Sequence, residues 1–312
     1  MNMMRKYTYA VVALGELLAD FIGTEPSASV GDTPAFLRFQ GGSPANLAAN
    51  MARLGQQTAV VSCTGADSLG NYLVASVASS GVDVQYIVQD PEVPSSLVLV
   101  SRTQGTPDFI PYRTSDPRLL PVHVPDALLA QAGLIHTTCW PLSLQPAQST
   151  VLDAAARARA LGVRCSVDLN YTPKIWPNRA EAHEVIQSYI QGGGLVKLSE
   201  DDAERFWDGT LSPEMIREIL HGWGASLVCL TLGAAGSWVS SAEGEVHFVS
   251  ATPIEVVDAT GAGDAYWSGF LTAYLDGESL ARCAQAGARM AAIKLTTLGP
   301  LREPIEKSLL LV

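Results

Sequence analysis

The stretch Asp-Ala-Thr-Gly-Ala-Gly-Asp at residues 258–264 decides the fold, because it joins a strand-like apolar run at 254–257 to a helix that we predict over 263–275. The small residues Gly261, Ala262 and Gly263 would let backbone N–H groups approach an anion closely, and the helix dipole would assist them. Asp264 lies in the first turn of this helix and faces the same space. A carboxylate at that place can accept a proton from an attacking hydroxyl.

Outward from this segment, apolar runs alternate with helical periodicity. We predict strands at residues 9–14, 58–63, 133–138, 163–168, 195–198 and 225–231, with helices between them. Continuously apolar strands linked by helices are typical of a mostly parallel sheet that is covered on both faces. Two short runs, 96–102 and 108–113, flank Gly105 and predict a hairpin that could form a small lid. In such sheets, ligands bind beyond the carboxyl ends of the strands.

The composition argues against several classes of protein. The 312 residues are 47% hydrophobic and carry a formal net charge of −11, with no run of Lys and Arg, so we expect no nucleic-acid partner. No apolar run is long enough to span a membrane, and we recognise no signal-peptide pattern. The five cysteines form no Cys-x-x-Cys pair, which favours buried free thiols in a reducing compartment. We therefore expect a cytoplasmic protein.

Other catalytic motifs are missing from the sequence. The chain has neither a Gly-x-x-x-x-Gly-Lys-Ser/Thr loop nor a Gly-x-Ser-x-Gly elbow. A dinucleotide-dependent oxidoreductase would need Gly-x-Gly-x-x-Gly after the first strand, and Gly15-Glu16-Leu17 does not supply it.

A second glycine-rich segment, Gly-Gly-Ser-Pro-Ala-Asn-Leu-Ala, occupies residues 41–48. Ser43 can cap a helix that begins there, and Pro44 suits its first turn. Together, residues 41–48 and 258–264 resemble the two signatures of the ribokinase-like (phosphofructokinase-B type) carbohydrate kinases, and the resemblance is closest to bacterial fructokinases. It implies one three-layer α/β/α domain over residues 1–312, with a mostly parallel central sheet and small β lid segments near 16–39 and 91–121.

This resemblance also implies the catalytic groups. Asp264 would be the base, and the amides of Gly261, Ala262 and Gly263 would form an anion hole for the transferred phosphoryl group. ATP and Mg²⁺ would take part in the reaction. A loop containing Asp258 and Thr260 would hold a monovalent cation, K⁺.

For the sugar site, the resemblance implies contacts from Asp20, Gly41, Gly42, Asn46, Arg113, Asp168 and Asn170. An Asn side chain has one acceptor and two donor hydrogens to offer a diol. Residues 168–176 resemble the Asp-x-Asn-x-Arg-x-x-Leu-Trp pattern of bacterial fructokinases and 2-keto-3-deoxygluconate kinases, but Thr172 stands where that pattern has Arg. Lys174 could substitute in part, as a point charge. The missing guanidinium weakens the case for an acidic sugar.

For the nucleotide site, the resemblance implies Lys197, Glu200, Thr231, Gly233 and Gly236. Glu200 would act on Mg²⁺ through water, since Mg²⁺ keeps much of its hydration shell. The glycines that follow Thr231 would let the backbone pass close to ATP.

These features predict an ATP-dependent kinase that phosphorylates a sugar hydroxyl, with fructose as the first choice of substrate. Within this class, 2-keto-3-deoxygluconate, ribose and nucleosides are the alternatives. A non-catalytic sugar or nucleotide sensor on the same fold is the alternative from another class, and the intact Asp264 argues against it. Exposed lid strands would also allow a homodimer.

Overall fold

The computed structural model describes residues 7–102 and 108–311, so that the predicted turn at Gly105 lies outside the described residues. The main sheet has seven parallel strands within those ranges: β1 (Tyr9–Leu14), β4 (Thr58–Gly65), β5 (Ile87–Asp90), β8 (Ala132–Thr138), β9 (Arg164–Asp168), β10 (Gly194–Ser199) and β11 (Ala225–Thr231). They stand in the order β11-β10-β9-β8-β1-β4-β5. An antiparallel hairpin, β12 (Ser237–Ser241) and β13 (Val246–Val249), extends the sheet beyond β11.

Helices cover both faces of this sheet, because its strands are apolar on both sides. The helices are α1 (Ser43–Arg53), α2 (Ser68–Ala78), α3 (Asp126–Ala130), α4 (Cys139–Leu142), α5 (Ala147–Ala160), α6 (Arg179–Ile190), α7 (Glu200–Trp207), α8 (Pro213–Gly222), α9 (Ala262–Leu275) and α10 (Leu280–Leu295). Helices α3 to α8 share a core with Val12 and Val196, whereas α1, α9 and α10 share one with Val11 and Leu195. The predicted three-layer architecture is confirmed.

A separate four-stranded sheet forms the predicted lid. It consists of β2 (Leu18–Pro26), β3 (Phe36–Gly41), β6 (Leu97–Arg102) and β7 (Phe109–Tyr112), in the order β3-β2-β6-β7. Strands β6 and β7 are the predicted hairpin, and they pair antiparallel. The edge strands β3 and β7 expose Leu37 and Ile110, which are 55% and 40% accessible.

Two local predictions are wrong. Residues 254–257 form no strand: Val256 and Val257 are more than half exposed, and the Val257 amide donates to the Leu295 carbonyl at the end of α10 instead of pairing with a strand. Ser43 does not cap α1, because Gly42 holds the cap position and the Ser43 hydroxyl is used elsewhere.

The five cysteines are free and buried, as predicted. No helix in the described part of the chain is both long enough and apolar enough to cross a membrane.

Candidate active site

The start of α9 presents the predicted base. Asp264 is 8% exposed, and each of its carboxylate oxygens accepts a hydrogen bond from α1: Oδ1 from the Ser43 hydroxyl at 2.6 Å and Oδ2 from the Asn46 amide at 2.9 Å. Burial raises the pKa of Asp264 above its usual value, and the two hydrogen bonds oppose this rise because they stabilise the charged form. Ser43 and Asp264 are 221 residues apart in sequence, and their contact brings the two glycine-rich motifs together at one carboxylate.

The backbone before Asp264 forms a tight turn. Gly261 has a φ of +75°, which an L side chain rarely adopts. The Ala262 amide donates to the Ala259 carbonyl at 3.2 Å, so this amide would have to turn or share its hydrogen to join an anion hole. The first amides of a helix have no acceptor within the helix, and Gly263 belongs to that turn. The anion hole remains a prediction.

A buried ion pair packs against the turn that precedes Asp264. The Lys197 ammonium lies 2.7 Å from Asp168 Oδ2, and both side chains are at most 3% exposed. A Cβ on Gly263 would stand 2.7 Å from the same ammonium, so the glycine allows Lys197 to lie against the first turn of α9. Burial raises the pKa of Asp168 to about 7, against the lowering effect of Lys197. Burial alone would lower the pKa of Lys197, but Asp168 and Asp202 outweigh it, so the ammonium stays protonated.

The glycines of the predicted sugar loop make room for protein groups. A Cβ on Gly41 would lie 2.2 Å from Asp20 Oδ2, and a Cβ on Gly42 would lie 2.2 Å from the Glu16 carbonyl oxygen. Asp20 lies in β2 and lines one cavity with Asn46. Burial and then the neighbouring Asp264 raise the pKa of Asp20 to about 7. Two carboxylates and an amide thus share this region, a donor and acceptor set suited to hydroxyl groups.

Asn170 joins the same network. It follows β9 with a φ of +42°, and its side-chain amide donates to the Ser43 hydroxyl at 3.0 Å. Ser43 therefore links the exposed Asn170 to Asp264. A substrate that contacts Asn170 would therefore touch a residue that is hydrogen-bonded to Ser43, which in turn donates to Asp264.

Arg113 lies in a different network. Its guanidinium binds Asp116 at 2.8 and 2.9 Å, and also binds the Trp140 carbonyl oxygen and the Ser143 hydroxyl. The side chain is 8% exposed and stacks on the Trp140 ring. Its contact with sugar stays a prediction, since most of its donors are already used.

Lys174, which we predicted as a partial substitute for the missing Arg, is held by the lid. Its ammonium lies 2.8 Å from Asp108 Oδ1 and 4.9 Å from the centre of the Phe109 ring. The carbonyl of Thr172 accepts from the amides of Ile175 and Trp176, so Thr172 closes a turn through its backbone.

The predicted nucleotide residues lie at the carboxyl ends of adjacent strands. Ser199 of β10 pairs with Thr231 of β11, which places Glu200 and Thr231 at one edge of the sheet. The Thr231 hydroxyl donates to the Leu198 carbonyl at 3.4 Å. Gly233 has open space where a side chain would point, whereas a Cβ on Gly236 would lie 2.2 Å from the Val249 carbonyl oxygen. Gly233 can therefore admit a ligand, and Gly236 is required by the hairpin.

The predicted K⁺ loop already holds a cation. Asp258 Oδ1 accepts from the Thr260 amide at 2.9 Å, and Oδ2 accepts from the Gly299 amide at 2.9 Å and from the Lys294 ammonium at 3.2 Å. Burial would raise the pKa of Asp258, but these partners outweigh it and hold the pKa below its usual value. The residues present therefore do not fit an additional K⁺ at this carboxylate.

Mg²⁺ fits the structure in a different way. Within residues 7–102 and 108–311, no group of three His, Cys, Asp or Glu side chains could hold a metal. Glu200 is exposed at the start of α7, where it can reach a hydrated ion. Mg²⁺ commonly keeps several waters and binds through one or two carboxylates plus substrate phosphates, and a single accessible carboxylate suits that mode.

Three residues at the site were not predicted in the roles they take. Ser43 binds Asp264, Lys294 binds Asp258, and Glu16, 4% exposed, accepts from the Ser43 amide at 3.2 Å and from the Thr138 hydroxyl. Burial raises the pKa of Glu16 to about 8. Glu16 and Lys294 share one sequence signal, which is a charged residue inside an otherwise apolar run.

Comparison with known proteins agrees with this geometry. Residues 9–307 match the profile of the pfkB family carbohydrate kinase. An ATP-dependent 6-phosphofructokinase of Thermoanaerobacterium thermosaccharolyticum is 33% identical over 94% of this chain and 90% of its own length. Fructokinase-1 of Oryza sativa subsp. japonica is 34% identical over 82% of this chain and 80% of its own. The Halothermothrix orenii fructokinase structure is 32% identical, with a TM-score of 0.78 over 93% of this chain and 99% of its own.

Proposed function

The chain belongs to the pfkB family of carbohydrate kinases, and we propose that it transfers the γ-phosphoryl group of ATP to a hydroxyl of fructose. One observation carries the proposal: the Asp264 carboxylate stands at the start of α9 with both oxygens held by donors of α1. These two hydrogen bonds fix the Asp264 carboxylate between the turn at residues 261–263 and the residues that we predict to bind sugar. Such fixed geometry is what general-base catalysis needs.

The reaction follows from this arrangement. Asp264 accepts the proton of the sugar hydroxyl while the oxygen of that hydroxyl attacks the γ-phosphorus of ATP. A new oxygen–phosphorus bond forms, the bond from the γ-phosphorus to the bridging oxygen breaks, and ADP leaves. Amides of residues 261–263 and the dipole of α9 would stabilise the charge on the transferred group. Positioning and electrostatics provide most of the rate enhancement in such transfers.

ATP would lie along the carboxyl ends of β10 and β11, beside Thr231 and the open Gly233. Mg²⁺ would be held by phosphate oxygens and, through water, by Glu200, and it would neutralise phosphate charge. The lid of β2, β3, β6 and β7 would cover the sugar and exclude water from the phosphoryl group.

Fructose is favoured over its 6-phosphate by the charges on the sugar side. Asp20, Asn46 and Asn170 offer hydroxyl partners, while the cations Lys174 and Arg113 are each paired with a carboxylate. The relative named as a 6-phosphofructokinase makes fructose 6-phosphate the second candidate. Lys174 would have to leave Asp108 to bind the phosphate of that substrate.

The proposal also covers the oligomeric state and the cellular compartment. The exposed Leu37 and Ile110 on the lid edges support a homodimer through the lid, and size-exclusion chromatography with light scattering would measure it. Five buried free thiols support a reducing, cytoplasmic setting.

An ADP-release assay with a panel of acceptors tests the proposal. We expect the highest kcat/KM with fructose, lower values with fructose 6-phosphate, ribose, 2-keto-3-deoxygluconate and nucleosides, and no release without an acceptor. Preference for fructose 6-phosphate would transfer the assignment to the second candidate. Absence of ADP release with every acceptor, while sugar and ATP still bind, would support a sensor instead.

A further inference from the structure

Lys294 lies where an apolar side chain would be expected. It occupies the last turn of α10 within the run Ala-Ala-Ile-Lys-Leu at 291–295, and its side chain is 5% exposed. Its Nζ lies 3.2 Å from Asp258 Oδ2, 3.4 Å from the Asp258 carbonyl oxygen and 3.2 Å from the Thr297 carbonyl oxygen. An ammonium has three N–H donors, so these three oxygens satisfy it completely.

The oxygens around Lys294 come from two loops that are far apart in sequence. Asp258 begins the turn that leads to Asp264, and Thr297 follows α10. The Gly299 amide also binds Asp258, and the Val257 amide binds the Leu295 carbonyl. One positive charge thus stands among a carboxylate and two carbonyls, which is the chemistry of a site for a small cation.

We propose that the Lys294 ammonium is a built-in cation that takes the place of a bound monovalent ion, so that this kinase needs no K⁺. The same Asp258 oxygens cannot hold K⁺ while they hold the ammonium, because two cations at one carboxylate repel each other. Only the turnover measurement below rests on the proposed kinase function.

Lys294 acts on the reaction as a positioning residue. A Cβ on Gly261 would stand 3.9 Å from both Lys294 Cε and Asp264 Oδ2, so the lysine stem lies directly behind the turn. Lys294 binds Asp258 and so fixes where this turn begins. The charge of Lys294 lies behind residues 261–263 of the predicted anion hole. A covalently attached charge keeps this place at any salt composition.

Thermal unfolding provides a test without any substrate. The wild-type protein is compared in KCl and in tetramethylammonium chloride at equal ionic strength, and we expect the same Tm in both salts. Lys294→Ala removes the ammonium and opens the oxygens, so its Tm should fall and then rise by about 2 °C or more when KCl replaces the organic salt. Lys294→Met is the matched control, because its side chain fills the space without charge and should show no recovery.

Turnover of the same proteins gives the second readout. The wild type should have the same kcat in both salts, whereas Lys294→Ala should have a reduced kcat that KCl partly restores. A wild-type Tm or kcat that rises with KCl would overturn the proposal, and so would a folded Lys294→Ala protein whose Tm ignores KCl. If Lys294→Ala does not fold, the wild-type comparison decides alone. Failure of every acceptor sugar would overturn the kinase assignment and leave the Tm comparison valid.

Discussion

Replacing Lys197 by Met should destabilise the protein strongly, and more strongly at high pH. The substitution keeps most of the stem volume but removes the ammonium 2.7 Å from Asp168, whose side chain is 1% exposed. Asp168 Oδ1 is buried and has no hydrogen-bond partner in the described residues, so the carboxylate has little other support. Removing one partner of a buried ion pair costs about 3–5 kcal/mol of the free energy of unfolding.

The pH dependence follows from the carboxyl group left behind. Burial already raises the pKa of Asp168 to about 7, and Lys197 opposes this rise, so the pKa should rise further in the variant. The folded variant then keeps a proton that the unfolded chain has released, and its stability falls as pH increases. The difference from the wild type should therefore be smaller at about pH 6 than at about pH 8.5.

Urea unfolding followed by tryptophan fluorescence measures both effects. Lys174→Met is the matched control, because it breaks a Lys–Asp pair whose lysine is 51% exposed and which solvent screens. We expect little change for that variant at either pH. If Lys197→Met lost no more stability than Lys174→Met, or if its loss did not depend on pH, the account of the buried pair would be refuted.

Two further predictions concern the site itself. Ser43→Ala removes a hydrogen bond that lowers the pKa of Asp264, so the pKa should rise and the acidic limb of the kcat–pH profile should move to higher pH; an unmoved limb would contradict this contact. Gly41→Ala places a Cβ 2.2 Å from Asp20 Oδ2 and should raise the KM for fructose by about tenfold or more, with the KM for ATP unchanged. Gly222→Ala, on an open helix surface, is its control, and equal KM values for the two variants would exclude the clash.

The sheet could be predicted because its strands carry their own signal. Strands such as β1 and β11 are short, mostly apolar runs that end at polar or glycine residues, and helix-linked runs of this kind form parallel sheets. Residues 254–257 have the same local pattern and form no strand. A strand needs a neighbour with free backbone groups, and the amide of Val257 instead meets the carbonyl of Leu295. Local apolarity does not report that choice.

The site could be predicted as a set of motifs but not as a network. The Ser-Pro pair at residues 43 and 44 is a typical helix start, and nothing near it indicates that the Ser43 hydroxyl binds Asp264. Gly41 suggests an approach by ligand, whereas the structure brings the Asp20 carboxylate there. Lys294 lies in an apolar run, and its partner Asp258 is 36 residues away in sequence. Each contact depends on tertiary structure, which no local pattern contains.

The turnover of Asp264→Asn with fructose and Mg·ATP tests the central claim most directly. Asn keeps the shape and one of the two acceptor oxygens but cannot accept the hydroxyl proton, so ADP release should fall by about 10²-fold to 10⁴-fold while fructose and ATP still bind. Asp276→Asn, at the exposed far end of α9, is the matched control and should keep wild-type turnover. Near-normal turnover in Asp264→Asn would contradict the assignment of Asp264 as the base.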